Sequence, residues 1–261
     1  MNSRYEHLVV SSHDGALNVQ IDRPEKHNAL SRAVLSQLRD VFTTHAADDT
    51  LRVAILRGAG DKSFAAGGDL RDLSAVRTSA EASQMAADGR AALEAVRNFP
   101  VPVIAALNGD AVGGGAELAV ACDFRVAANH AKIGFIQGRL NISTGWGGGA
   151  DLMGLLGPAR ALRVLCRSEV MNGPEALAAG MIDAVATLDQ DLDSAVAQFI
   201  APILKQAPQV VRAFKALAYG VRRKLPQFEL EALETSHFAA TWVHDEHWAA
   251  AEKILKPRTE V

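Results

Sequence analysis

A glycine-rich segment that contains one acid is the part of this sequence best suited to chemistry. In Ala111-Val-Gly-Gly-Gly-Ala-Glu117-Leu118, three glycines stand where an apolar strand ends and a helix is predicted to begin. The first N–H groups of a helix lack partners within it and carry the positive end of its dipole, so they can stabilise an oxyanion. Glu117 would lie beside that anion. Alternatively, the glycines only permit close helix packing, and Glu117 is a surface acid.

A second glycine turn strengthens the chemical interpretation. Phe64-Ala-Ala-Gly-Gly-Asp-Leu70 has small residues at the end of another predicted strand. Its N–H groups are expected to meet the first set across a shared pocket. Two N–H donors and one acid suit a reaction that builds charge on a carbonyl oxygen, such as enolate formation from a thioester.

Other glycine-dependent and metal motifs do not fit. The residues after Gly113-Gly-Gly115 lack the third glycine of a dinucleotide fingerprint, and Asp61-Lys-Ser63 lacks the glycine that a phosphate loop needs before its lysine. No nucleophile elbow occurs. His244 and His247 lie three residues apart without a metalloprotease pattern, so we interpret them as part of a solvated helix face and predict no metal site.

The surrounding pattern predicts an α/β fold that positions these turns. Asp14-Gly15 indicates a hairpin, and Ser31 is a plausible N-cap for the first helix. Apolar runs predict strands over 8–10, 16–21, 53–56, 101–107 and 123–127, and helical spacing predicts helices over 79–98 and 114–121. The later chain is predicted to be helical over 158–167, 174–179, 189–204, 208–219 and 227–255.

Composition excludes several classes of protein. The 261 residues include 49% hydrophobic and 22% charged residues, which is ordinary for a globular protein. A net charge of -3 argues against nucleic-acid and acidic-membrane partners. Cys122 and Cys166 are too few for a disulfide framework. No signal-like or membrane-spanning run is evident, so a cytoplasmic location is expected.

Five segments, in order, resemble one known family. They are Arg23-Pro-Glu-Lys-His-Asn-Ala-Leu30, Phe64–Leu70, Asn108–Leu118, Ala121-Cys-Asp-Phe-Arg125 and Ala178-Ala-Gly-Met-Ile182. Together they resemble the crotonase, or enoyl-CoA hydratase/isomerase, superfamily. The resemblance implies a spiral of ββα units over residues 1–195 and a helical C-terminal extension over 196–261, used for oligomerisation and for closing the CoA site. It also implies a homotrimer or homohexamer and an acyl-CoA thioester substrate, with no cofactor besides the CoA of that substrate.

The resemblance also assigns roles to residues. It implies that Ala66 and Gly114 donate the N–H groups of an oxyanion hole, with Glu117 as acid/base. The residues implied to bind CoA are Lys26, His27, Ala29, Ala65, Ala66, Gly67, Gly68 and Asp69. Of these, Lys26 is either a partner for a phosphate or an ordinary exposed lysine. An RNA-binding relative is not favoured, because residues 31–45 carry only two arginines and one offsetting aspartate in place of a lysine-rich helix.

Two departures from the family bear on the reaction. Gln137 stands where family hydratases have a second glutamate, and glutamine can orient water or a substrate carboxylate but cannot exchange a proton. Trp146-Gly-Gly-Gly-Ala150 replaces a Gly-Gly-Thr-Gln-Arg stretch, and Trp146 either lines the acyl pocket or packs as core. One carboxylate suits an isomerase, or a decarboxylase of the ethylmalonyl-CoA decarboxylase-like branch. The alternatives are an enoyl-CoA hydratase of fatty-acid β-oxidation and a catalytically silent CoA-binding homologue.

Overall fold

The computed structural model describes residues 5–255 as a mixed α/β fold with two sheets. The strands are β1 Leu8–His13, β2 Ala16–Ile21, β3 Val53–Gly58, β4 Ser63–Ala65, β5 Val103–Leu107, β6 Asp110–Val112, β7 Phe124–Ala127, β8 Lys132–Gly134, β9 Val170–Asn172 and β10 Ala184–Val185. The helices are α1 Arg32–His45, α2 Ser79–Arg97, α3 Gly114–Ala121, α4 Gly148–Leu156, α5 Pro158–Arg167, α6 Gly173–Ala179, α7 Leu192–Leu204, α8 Pro208–Arg222, α9 Gln227–Trp242 and α10 Asp245–Leu255. Short 3-10 helices cover Pro24–Lys26 and Gln137–Leu140.

Three ββα units build the core and confirm the predicted spiral. They are β3-β4-α2, β5-β6-α3 and β7-β8-α4. The first strand of each unit joins the six-stranded sheet, in the order β1-β2-β3-β5-β7-β10, and the second joins the four-stranded sheet, in the order β4-β6-β8-β9. Strands β4, β6 and β8 are parallel neighbours. Their carboxyl ends therefore meet at one edge of the smaller sheet.

Local signals account for the first elements. Asp14 and Gly15 adopt φ of 52° and 79°, the positive values that a two-residue hairpin turn needs. The Ser31 hydroxyl accepts a hydrogen bond from the backbone N–H of Val34 and caps α1, as predicted. One stripe of α1 is buried, and Phe42 from this stripe packs edge-to-face on Phe99 with ring centroids 5.2 Å apart.

The C-terminal part differs from the prediction in two places. The expected boundary at 195/196 falls inside α7, whose Val196 and Ile200 are buried in the core, so the core extends through this helix. The helix predicted over 227–255 is interrupted at Val243 and His244. Neither α9 nor α10 has a buried residue among those described. Residues 256–261 of the predicted extension lie outside the described part.

Within residues 5–255, no helix combines the length and the apolar character that crossing a membrane would require.

Candidate active site

Three turns converge where β4, β6 and β8 end. A cavity of about 180 Å³ opens between them. Backbone and polar groups of the turns form one side, and apolar side chains from α2 and from the segment after β8 form the other. The lining residues that matter most are Ala66, Gly68, Gly114, Glu117, Gln137 and Trp146. The structure thus brings together the two glycine turns, the acid and the glutamine that the sequence singled out.

Glycine is required at two positions of the turn after β6. Gly113 adopts φ 57° and ψ −122°, a conformation that side chains disfavour. Gly115 lies so close to the first turn that an added Cβ would stand 1.9 Å from the carbonyl oxygen of Ala65. Gly114, between them, is the first residue of α3. Its N–H therefore has no acceptor within the helix.

The N–H of Ala66 is not available to a ligand, contrary to the role that the resemblance implied. It donates to the carbonyl oxygen of His27 at 3.1 Å. A backbone donor that already has an acceptor at this distance cannot also face a substrate oxygen with full strength. Another N–H of the same turn must therefore be considered as the partner of Gly114.

Gly68 supplies that N–H. Leu30 donates to the carbonyl of Gly67 at 2.8 Å and accepts from the N–H of Asp69 at 3.1 Å, so it bridges the two residues that flank Gly68. In such a parallel bridge the central residue directs its own N–H away from the bridging strand. Within residues 5–255, neither Gly68 nor Gly114 has an acceptor for its N–H. These two groups are the candidate oxyanion donors.

Glu117 is 3% exposed, and its carboxylate is held by four donors. Its Oε2 accepts from the N–H groups of Trp146 and Gly148, both at 2.9 Å. Its Oε1 accepts from Gln137 Nε2 at 3.1 Å and from the N–H of Gly145 at 3.4 Å. Each oxygen accepts two hydrogen bonds, but those to Oε1 are longer, so Oε1 is the oxygen better able to receive a proton.

Gln137 presents an unpaired oxygen inside the site. Its side chain is about nine-tenths buried, and its Nε2 donates to Glu117 Oε1. This contact fixes the amide, since the reverse orientation would place two acceptor oxygens against each other. No residue of the described chain donates to Gln137 Oε1. A buried acceptor without a partner costs about 1–3 kcal/mol, so the site is built to receive a hydrogen-bond donor there.

Trp146 both packs as core and lines the cavity, so the two sequence interpretations hold together. It is only 6% exposed. A Cβ added to Gly114 or Gly89 would lie 2.3 Å from its indole, and one added to Gly68 would lie 3.5 Å from it. The indole is therefore the wall beside both candidate donors.

The residues expected to bind CoA divide into two groups. Lys26 and His27 are exposed beside the first turn, because the carbonyl of His27 holds the N–H of Ala66. Ala29 is half-buried nearby, and its carbonyl accepts from Arg23 at 2.6 Å. These positions form one strip beside the turn whose Ala66 lines the cavity.

Ala65 and Asp69 have other tasks. Ala65 is fully buried in β4, so its side chain offers no surface to a ligand. The Asp69 carboxylate is paired with Arg23 at 2.9 Å and accepts from the backbone N–H of Arg71 at 3.2 Å. Asp69 therefore braces the turn from behind instead of contacting CoA.

Sequence reasoning missed the polar residues that support the site. Asn28 is buried and donates to the carbonyls of Ala59 and Ser63. Arg97, Asp151 and Arg222 form a buried ion-pair network behind Trp146. Arg97, Asp151 and Arg222 lie in no local motif, and the segment that contains Asn28 did not indicate its role. One sequence signal was usable: an arginine on the apolar face of a predicted helix, as Arg97 is on α2, indicates a buried ion pair with an acid elsewhere in the chain.

Comparisons with known proteins agree with this geometry. The sequence model of the family described as "Enoyl-CoA hydratase/isomerase" matches residues 11–253. A crotonyl-CoA hydratase of Syntrophomonas wolfei is 36% identical over 217 residues, covering 82% of each chain. A carnitinyl-CoA dehydratase of Citrobacter koseri is 34% identical, covering 85% of this chain and 83% of that one. A crystal structure of an enoyl-CoA hydratase from Bacillus anthracis superposes with a TM-score of 0.88 at 28% identity, covering 98% of both chains.

Proposed function

Because this chain belongs to the enoyl-CoA hydratase/isomerase family and acts on acyl-CoA thioesters, we propose that it adds water reversibly to an enoyl-CoA, with Glu117 as its sole acid/base. The observation that carries this proposal is the buried, unpartnered oxygen of Gln137 beside Glu117 Oε1. A water molecule has two O–H donors, one for each of these acceptors. The same pair suits the hydroxyl group of a 3-hydroxyacyl-CoA in the reverse direction.

The reaction can proceed with one carboxylate. The thioester oxygen accepts from the N–H groups of Gly68 and Gly114, which polarises the conjugated double bond. Water held by Glu117 and Gln137 attacks C3 through its oxygen, its proton passes to Glu117 Oε1, and the double-bond electrons move to the thioester oxygen. The enolate then collapses and C2 takes the proton from Glu117. Water is added across the double bond and Glu117 is again a carboxylate.

The orientation of the Gln137 amide, with its nitrogen on Glu117 and its oxygen towards the substrate, weighs against the decarboxylase interpretation. An alkylmalonyl thioester carries a carboxylate on C2, next to the position that Glu117 must reach. That carboxylate would face the Glu117 carboxylate and the acceptor oxygen of Gln137, with no donor from either. An isomerase remains the second candidate, since a single buried carboxylate is sufficient to move a proton between two carbons.

We further propose that the exposed strip at Lys26 and His27 lies beside the CoA part of the substrate, and that Lys26 pairs with a phosphate. A lysine is suited to this task as a mobile point charge. The proposal requires no cofactor besides the CoA of the substrate. The cytoplasmic location stays a prediction.

The test is incubation with short enoyl-CoAs and alkylmalonyl-CoAs, followed by mass analysis. We expect gain of water with crotonyl-CoA and no loss of carbon dioxide from alkylmalonyl-CoAs. Glu117→Gln should lose about 10²-fold or more in turnover, because general acid–base catalysis contributes about 10²–10⁴-fold. Loss of carbon dioxide, or full turnover by Glu117→Gln, would overturn the proposal. An unchanged mass with a shifted double bond would favour the isomerase.

A gain-of-function variant tests the role of Gln137. Gln137→Glu adds a second carboxyl group, which the negative charge of Glu117 holds protonated and therefore able to deliver a proton to C2. We expect faster hydration by about 10-fold or more. Gln137→Met, which removes the acceptor oxygen while keeping the side-chain length, should slow hydration. Equal rates in all three proteins, with thermal unfolding unchanged, would show that Gln137 does not hold water.

A further inference from the structure

The turn that holds Glu117 is itself held by a network of charges in which Arg97 and Asp151 are buried and Arg222 is partly exposed. Arg97, at the end of α2, places Nε and Nη2 2.8 Å from Asp151 Oδ2. Arg222, at the end of α8, places Nη2 2.8 Å from Asp151 Oδ1. The Arg97 and Asp151 side chains are 7% and 9% exposed. One aspartate thus joins two helices that are far apart in sequence.

Each arginine also contacts the backbone around Glu117. Arg97 Nη2 donates to the carbonyl of Trp146 at 3.0 Å, in the turn whose N–H groups hold the Glu117 carboxylate. Arg222 donates to the carbonyls of Val120 and Ala121 at 2.7 and 3.0 Å. Those carbonyls end α3, the helix whose first turn carries Glu117, where a cation is favoured by the helix dipole.

We propose that Arg97, anchored by Asp151, is a positioning residue that sets the orientation of the Glu117 carboxylate through the 145–148 turn. The arginine fork holds the aspartate through two nitrogens and the Trp146 carbonyl through one of them, a planar geometry that the single nitrogen of a lysine does not reproduce. Gly147 permits this approach, since a Cβ there would lie 2.9 Å from Arg97 Nη2. Arg222 fixes the other end of α3 to the same aspartate. The inference rests on the proposed acid/base role of Glu117.

Arg97→Met and Arg97→Lys test the proposal, with Arg90→Met as the matched control. Arg90 stands two turns earlier on α2, is exposed, and reaches the Gly145 carbonyl only at 3.4 Å. We expect Arg97→Met to lower kcat for crotonyl-CoA hydration by about 10–100-fold with little change in KM, since a misplacement of about 1 Å costs up to about 10²-fold. Arg97→Lys should recover part of the loss, and Arg90→Met should keep kcat within about 2-fold.

A double-variant cycle separates positioning from general loss of structure. If Arg97 acts through Glu117, adding Arg97→Met to Glu117→Gln should lower kcat no further, because coupled residues are not additive. The inference would be overturned if Arg97→Met lowered kcat as much in the Glu117→Gln background as in the wild type. It would also be overturned if Arg97→Met changed KM alone, or if Arg90→Met caused the same loss of kcat.

A readout without turnover keeps the two proposals distinguishable. If the wild-type chain hydrates none of the enoyl-CoAs, the proposed function fails, and the same cycle is measured on the urea midpoint of unfolding. Non-additive midpoint shifts for the Arg97 and Glu117 variants would still support the physical linkage through the turn. Additive shifts would refute it.

Discussion

The site concentrates its polar character in a few buried side chains, each fixed by a different kind of partner. Glu117 is held by backbone N–H groups, and Gln137 is oriented by Glu117. Asp69 is paired with Arg23 and braces the turn that carries Gly68. Glu117 and Gln137 act on the reaction, whereas Asp69 determines how firmly the turn is held.

Asp69 should give the fold a defined acid sensitivity. Burial acts to raise the pKa of its carboxyl group, but hydrogen bonds from Arg23 and from the backbone N–H groups of Asp72 and Arg71 outweigh it, so its pKa lies below the ordinary 3.8. A carboxyl group with a depressed pKa in the folded state contributes stability above its unfolded pKa and loses it as the pH falls through the folded value. The contribution of Asp69 is therefore complete above about pH 5.

Asp69→Asn should lower the free energy of unfolding at pH 7 by about 3 kcal/mol, because it leaves Arg23 buried without a counter-charge. The difference between wild type and variant should stay constant from pH 7 to 5 and shrink below about pH 4. Urea unfolding across this range measures it, with the exposed Asp14→Asn as control. A difference that grows on acidification would contradict the assigned ion pair.

At the level of elements, the sequence predicted those helices and turns whose signals lie within their own segment. The capping serine and the apolar spacing of α1 lie within the segment they define, and both α1 and α5 form where the sequence predicts them. The smaller sheet was not predicted strand by strand, because β4, β6, β8 and β9 have only three residues each, too few for a periodic pattern. The continuation of the core through α7 depends on what that helix packs against.

The site likewise divides into features set within one segment and features set by contacts between segments. The glycines and Glu117 of α3 could be predicted, since their order along the chain expresses the geometry of a helix start. The choice of Gly68 over Ala66 could not, because it depends on which N–H faces His27 and Leu30. The pairing of Arg97 with Asp151 joins residues 54 positions apart, and no local rule specifies that partner.

Helix α2 contains a test of how Trp146 is accommodated. Gly89 is buried in this helix, where alanine would ordinarily stabilise by about 1 kcal/mol. A Cβ there would lie 2.3 Å from the Trp146 indole, however. We expect Gly89→Ala to lower the free energy of unfolding by about 1–3 kcal/mol, because the ring must move to relieve the overlap.

A control glycine without a close neighbour, and a background that lacks the indole, test this explanation. Gly154 lies exposed in α4 with nothing near its Cβ position, so Gly154→Ala should stabilise by about 0.5–1 kcal/mol. In a Trp146→Ala background, Gly89→Ala should stabilise as well, since the overlapping ring is gone. Urea unfolding of the wild type, the three single variants and the double variant checks this. A Gly89 penalty that persists without the indole would exclude Trp146 as its cause.

At the scale of the molecule, the last two helices of the described residues expose a large apolar surface. We use the name C-terminal arm for α9 and α10, residues 227–255. Its large apolar side chains are exposed, among them Phe228, Phe238, Trp242, Val243 and Trp248. Trp242 and Trp248 pack on each other with ring centroids 6.0 Å apart and on His247, yet each is still 47% exposed. An apolar surface of this extent is typical of an interface.

We propose that the partner is a second copy of the chain, in the trimer or hexamer that the resemblance implied. Light scattering should then give three or six times the 27.7 kDa of one chain. Trp242→Glu should shift the mass towards one chain, because a charge in a buried apolar contact is costly. Ser236→Glu adds the same charge at an exposed position of α9, about 120° around the helix from Trp242, and should leave the mass unchanged. A wild-type mass of one chain at micromolar concentration would refute assembly, which depends on protein concentration. Equal dissociation by both variants would refute the role of the arm, because assembly through it must depend on the Trp242 indole.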